Sequence, residues 1–197
     1  MSRLEPLPRA SLPADIDAHL RDRYDTTIGF TPRSLETLAR RPAILFALGD
    51  LITAIWREGT VPTNLKPLVA LIASTAAGCR YCQAHEAADA LAHGCSPEQV
   101  ADIWAFETSP LFSTAERAAL RLARDAALSP NAVTDEHFTE LRQHWDEGQI
   151  VELVATVALF GFLNRWNDTV ATSLEDTPFH IARDLLGPHG WNAGKHR

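Results

Sequence analysis

The stretch from residue 65 to residue 93 constrains the fold more than any other part of the chain. Leu65, Leu68, Val69, Leu71, Ile72 and Ala76 recur at helical spacing and wrap more than one side of the cylinder. A helix over 65–77 therefore has to be buried on several faces. Thr63 or Asn64 stands where its cap belongs, and Gly78 breaks it. A second helix runs from about Arg80 to His93 and stops at Gly94.

The same signals continue on both sides. Residues 15–24 read as a first helix, and Thr31-Pro32 reads as an N-cap followed by proline at the first helical position. Pro42 opens a helix through Trp56, ended by Gly59. Ser96-Pro97-Glu98-Gln99 is an N-cap and first turn, Ser113-Thr114-Ala115-Glu116 starts a helix through Ala127, and Thr134 starts one through His144. Residues 149–163 form a long apolar helix. The β-branched residues sit inside helical patterns, and no alternating run is flanked by hairpin turns. The expectation is an all-α protein of eight or more helices. A length of 197 residues suits one domain with a substantial core, or two small fused halves. Residues 69–74 resemble residues 151–156 at a shift of 82, which sets Cys82 opposite Asn164, His85 opposite Asn167 and Glu86 opposite Asp168. Two related hairpins account for this, and so does chance alignment of Ala/Leu/Val-rich helices.

A net charge of -7 argues against a nucleic-acid partner, because phosphate binding needs a positive footprint. No stretch reaches the roughly 18 consecutive apolar residues of a membrane span, and residues 1–13 contain no apolar signal core. Three cysteines in a chain of this length are not a disulfide framework. A cytoplasmic protein is expected, in which any disulfide is transient and catalytic.

The chemistry lies in Gly78-Cys79-Arg80-Tyr81-Cys82-Gln83-Ala84-His85. Cys79 follows a glycine at a helix start, where unpaired N–H groups and the helix dipole favour a thiolate. Cys82 is three residues on, within disulfide reach. His85 lies three residues beyond Cys82 and Glu86 four, so both face the sulfur's side of the helix. Histidine is suited to take a thiol proton near neutrality. Zinc is the competing reading, with Cys79, Cys82, His85 and either His93 or Cys95 as ligands, but the second metal-binding pair is missing. A c-type haem is excluded in its usual form because Gln83 follows Cys82. Cys95 reads as a small core hydrophobe. Asn164 and Asp168, in a polar cluster leaving an apolar helix, read as hydrogen-bonding groups, and Trp56, Trp104 and Phe106 as core or subunit interface. Residues 187–197 read as a poorly packed end.

These residues resemble the AhpD-like alkylhydroperoxidases of the carboxymuconolactone decarboxylase superfamily. Leu65-Lys66-Pro67-Leu68-Val69 through Ser74 to His85 carries the most specific part of the likeness. Glu147 to Leu153 and Phe162 to Asp168 resemble the C-terminal half of longer members, so the likeness covers about residues 38–176. It implies an AhpD-like helical bundle of antiparallel hairpins in a single domain over 1–197. The domain would comprise an arm (1–13), a half with the cysteines (38–107), a second half (113–176) and a tail (188–197). It also implies a homo-oligomer (dimer, trimer or hexamer) that reduces peroxides without metal or another cofactor. By that resemblance Cys82 is the nucleophile that becomes a sulfenic acid, and Cys79 resolves it as a disulfide that an external dithiol reduces. His85 is then the proton-transfer partner.

Two positions depart from the family pattern. The better-known members place the histidine four residues after the second cysteine, where this chain has Glu86. They also carry a glutamate twelve residues before the first cysteine, where this chain has Pro67. Glu86 and Glu58 are the candidates for the missing acid. Pro67 favours the alternative of a non-catalytic or redox-switch oligomer. A decarboxylase-like enzyme acting on a cyclic acid through His85 and Glu86 is a further alternative, although that branch lacks the cysteine pair.

Overall fold

In the computed structural model, which describes residues 2–197, eleven α-helices and several single turns account for the regular structure. No strand occurs among the described residues. Helix α1 (Ala14–Leu20) runs through a π turn (Arg21–Asp25) into a last turn, α2 (Thr26–Ile28). Next come α3 (Arg33–Leu38), α4 (Pro42–Arg57), α5 (Leu65–Ala77), α6 (Arg80–Ala92) and α7 (Pro97–Ala101). The second half is built from α8 (Thr114–Ala126), α9 (Asp135–Leu141), α10 (Glu147–Val170) and α11 (Asp176–Leu185).

The expected bounds of α5 hold, and so does its burial: every residue from Leu65 to Ser74 is inside. It packs against α6, α8 and α10 and forms the axis of the bundle. One buried residue of α5 is Lys66, whose Nζ donates to the Ile55 carbonyl at 2.8 Å and meets Glu152 of α10 at 2.5 Å. The other Glu152 oxygen accepts the N–H groups of Thr60 and Val61. A buried cation is tolerable only with such partners. Gly59 makes room for them, since a Cβ there would lie 2.0 Å from the Glu152 carboxylate.

Capping sets the starts of α7 and α8. The Ser96 and Ser113 side chains each accept an N–H from the residue three on, Gln99 and Glu116, whose side chains accept the cap N–H in return. Gly78, at φ +77°, closes α5 in the left-handed conformation that glycine reaches without cost. Four expectations need correction. The cap of α3 is Pro32 rather than Thr31, because the Thr31 hydroxyl is engaged by Arg9 and Asp25. A second hairpin at a shift of 82 would turn at Phe160, yet α10 is continuous to Val170. It does not end at Leu163 because Asn164 and Asn167 face inward and extend its buried side. By length and composition α10 would suffice to cross a membrane, but Leu153, Val157 and Phe160 on it are core.

The tail is the largest correction: its end is packed rather than loose. Trp191 and His196 are buried, and the Trp191 indole donates to the Arg80 carbonyl at 3.3 Å. Leu174 N–H donates to His196 O at 2.7 Å, and His196 Nδ1 lies 2.8 Å from the Thr172 carbonyl. Lys195 pairs with Asp168, and the Arg197 guanidinium covers the Phe179 ring. One indole and one imidazole, each with a backbone partner, are enough to dock a glycine-rich segment.

Candidate active site

The turn between α5 and α6 builds the dithiol. With Gly78 left-handed, Cys79 becomes the N-cap of α6, and its Sγ accepts the Cys82 N–H at 3.4 Å. This brings the two reduced sulfurs to 3.2 Å. The Cys79 thiol is held below its ordinary value by the hydrogen bond from Cys82, against the effect of burial, with help from the Cys82 amide. Burial pushes the Cys82 thiol well up, and the negative charge favoured on Cys79 adds to this. A negative charge on the pair is thus favoured on Cys79 over Cys82.

The second contact to sulfur comes from α10. Asn167 Nδ2 donates to Cys82 Sγ at 3.4 Å, which favours the Cys82 thiolate. Its direction is set by the Thr172 hydroxyl, which donates to Asn167 Oδ1 at 2.9 Å and leaves only the N–H₂ end for the sulfur.

At 100° per residue, His85 stands about 60° round α6 from Cys82, and Glu86 about 40° on the far side. The two meet different surroundings. His85 Nε2 is 2.7 Å from Glu175 Oε2, while Glu175 Oε1 accepts the Arg33 N–H at 2.6 Å and the Tyr81 O–H at 3.0 Å. Tyr81, one turn before His85, stacks on its ring at 4.3 Å, and Phe30 packs at 5.8 Å. Burial raises the Glu175 carboxyl, but the hydrogen bond and charge of His85 and the Arg33 amide outweigh it, so it stays below the ordinary value. Tyr81 is pushed well up, first by burial and then by Glu175, so it remains a donor.

The carboxylate that meets His85 is thus neither of the sequence candidates. Glu58 is exposed at the end of α4. Glu86 is buried with Oε2 unpartnered, and burial, followed by Asp89, holds its carboxyl well above the usual range. Pro67, in the family's glutamate position, is buried in the first turn of α5. Glu175 is 90 residues from His85 and lies on the short connection between α10 and α11, so no spacing rule points to it. Its only sequence signal is an acid at a helix start. Asn164 is buried with both amide atoms unpartnered, and Asp168 pairs with Lys195. The zinc set does not assemble: His93 bonds Asp89, Cys95 donates to the Asn64 carbonyl, and no metal-binding group of three His, Cys, Asp or Glu occurs among the described residues.

A cavity of about 500 Å³ opens beside this pair, with Glu175, Phe30, Arg9, Arg33 and Glu36 on its walls. The segment before α4 therefore supplies both a hydrogen bond and part of the wall of the site.

Residues 42–125 match the model of the carboxymuconolactone decarboxylase family. The crystal structure of the debrominase Bmp8 is similar at 33% identity, over 92% of this chain and 97% of that one, with a TM-score of 0.85. A cysteine-to-alanine variant of the same debrominase, in complex with 2,3,4-tribromopyrrole, aligns at 32% identity over 92% and 96% of the two chains, with a TM-score of 0.86. A peroxidase-related protein with an AhpD core from Ralstonia eutropha shares the fold at 23% identity, over 91% of this chain and 97% of that one, with a TM-score of 0.79. The Bacillus subtilis protein YdfG is 28% identical over 112 residues, 56% of this chain and 74% of that protein. With both cysteines inside the matched region and the debrominase aligned over nearly its whole length, the chain belongs to the carboxymuconolactone decarboxylase family and has its AhpD-like helical fold.

Proposed function

We propose that the protein is a dithiol oxidoreductase that passes two electrons from Cys79 and Cys82 to the O–O bond of a peroxide. The observation that carries this reading is the 3.2 Å contact between the reduced sulfurs, with the thiolate seat at the start of α6. Cys79 takes the Cys82 proton, and the Cys82 thiolate attacks the nearer peroxide oxygen. An S–O bond forms, the O–O bond breaks, and the departing alkoxide takes a proton through the His85–Glu175 pair. The Cys79 thiol then attacks the sulfenic acid, forming the disulfide and releasing water. Overall the dithiol and ROOH give the disulfide, ROH and water. An external dithiol restores the reduced state by exchange.

The 33% identity to a debrominase favours a second reading for the same dithiol. Two electrons and one proton replace a halogen on an electron-rich ring with hydrogen. Halide and a proton are released, and the same disulfide remains.

The test starts from reduced protein and one equivalent of cumene hydroperoxide. Two of the three thiols are expected to disappear rapidly, with a dimedone-trapped sulfenic acid on Cys82 in Cys79→Ser and none in Cys82→Ser. Thiols that react no faster than free cysteine sink the peroxide reading. Bromide release from a bromopyrrole by a peroxide-inert protein selects the second one.

A further inference from the structure

A second cavity, of about 400 Å³, lies where the start of α6 meets the segment after α7 and the docked tail. It shares no lining residue with the cavity beside His85 and Glu175. Its size falls in the usual range for a small ligand. Trp104, on the single turn Ile103–Ala105, and Trp191, in the tail, both line it, with Leu186. Trp191 is held by its bond to the Arg80 carbonyl, whereas Trp104 stays 57% exposed. Two indoles on one cavity wall suit a flat apolar group. Arg80 and Asp102 line the same space. Among the described residues the Arg80 guanidinium meets only Gln83 Oε1, at 3.4 Å, and the Asp102 carboxylate accepts only the Ser109 hydroxyl, at 2.8 Å on Oδ2. One cation and one anion therefore stand in the cavity wall without a charged partner.

We propose that this cavity binds a free aromatic α-amino acid, with its carboxylate on Arg80, its ammonium on Asp102 and its ring against Trp104 and Trp191. A planar guanidinium suits a carboxylate, since parallel N–H donors meet both oxygens. Asp102 Oδ1 is open to an ammonium donor. A ligand with a single charge answers only half of the wall. A carboxylate alone would have Asp102 as a neighbour of like charge, and an amine alone would have Arg80. A peptide terminus carries only one of the two charges beside its side chain, so the free amino acid is the form that fits. The two indoles then select a flat side chain over a small or branched one.

Titration of the reduced full chain with L-phenylalanine at pH 8, followed by calorimetry and by tryptophan fluorescence, tests this. 3-Phenylpropionate and phenethylamine serve as the ligands that lack one charge. Phenylalanine is expected to bind about tenfold or more tighter than either, the scale of one hydrogen bond to a charged group. Arg80→Gln should weaken phenylalanine and 3-phenylpropionate by about tenfold or more, but not phenethylamine. Asp102→Asn, which keeps an acceptor for Ser109, should weaken phenylalanine and phenethylamine, but not 3-phenylpropionate. Trp104→Ala changes an exposed side chain and should weaken all three, with an unchanged helical circular-dichroism spectrum. No binding of phenylalanine at millimolar concentration by either method overturns the proposal. So does binding that a single-charge ligand matches, or that Arg80→Gln or Asp102→Asn leaves unchanged.

Discussion

His85 and Glu175 lie 90 residues apart in the sequence and 2.7 Å apart in the structure. Their pairing puts a carboxylate beside the histidine, where α5 carries Pro67 and no acid. It joins the cysteine helix to the C-terminal third of the chain, and through Arg33 to the N-terminal segment.

Glu175→Gln is expected to keep the fold, because the amide oxygen still accepts from Arg33 and Tyr81. Peroxide-driven disulfide formation should slow by about a hundredfold, the usual scale for general acid–base groups. Stopped-flow thiol loss across pH checks this. A rate within a factor of two of wild type takes Glu175 out of the proton path.

The same carboxyl makes stability depend on acid. Its folded value lies below the ordinary 4.5, so its contribution is present above that value and lost as pH falls through the lower folded one. The gap in urea midpoint between wild type and Glu175→Gln should therefore close on acidification. A gap independent of pH excludes the ionised pair as its source.

Asn167→Ala removes the amide that favours the Cys82 thiolate. Oxidation of Cys82 is expected to slow by about tenfold or more, as for a lost hydrogen bond to a charged group. Thr172→Val, which frees the amide to rotate, should shift the rate in the same direction by less. Sulfenic-acid trapping in a Cys79→Ser background measures both.

The buried Lys66–Glu152 pair predicts non-additive stability. Glu152→Gln strands a lysine and should cost about 3–5 kcal/mol, whereas Lys66→Met/Glu152→Gln together should cost less than the sum of the single changes. Gly59→Ala should destabilise through the same carboxylate, which its Cβ would strike. Urea unfolding of the four variants decides.

Cys95 serves as the internal control. Burial, followed by the nearby acids Glu116 and Asp89, pushes its thiol to about 11. Cys95→Ala should therefore leave dithiol oxidation unchanged, and alkylation at neutral pH should spare it in the wild type.

The elements that formed where expected are those fixed by local chemistry. The α5–α6 turn needs Gly78, and the starts of α7 and α8 need Ser96 and Ser113 with their reciprocal partners. The dithiol was legible for the same reason, since three residues of one helix start set its geometry. What escaped depends on distant chain. Glu175 meets His85 only when α11 packs on α6, and Asn167 meets Cys82 only when α10 does. Trp191 and His196, set among glycine, proline and lysine, look like a loose end until the Arg80 and Thr172 carbonyls are placed against them.

The sulfur that caps α6 has a consequence beyond the proposed chemistry. The first turn of this helix is tied down by Cys79 Sγ, the atom that disulfide formation would take up. In the disulfide that sulfur is neutral and accepts far more weakly. The Cys82 amide should then exchange its hydrogen faster in the oxidised protein than in the reduced one. The start of α6 is thus a gauge of redox state, with helix fraying as its needle.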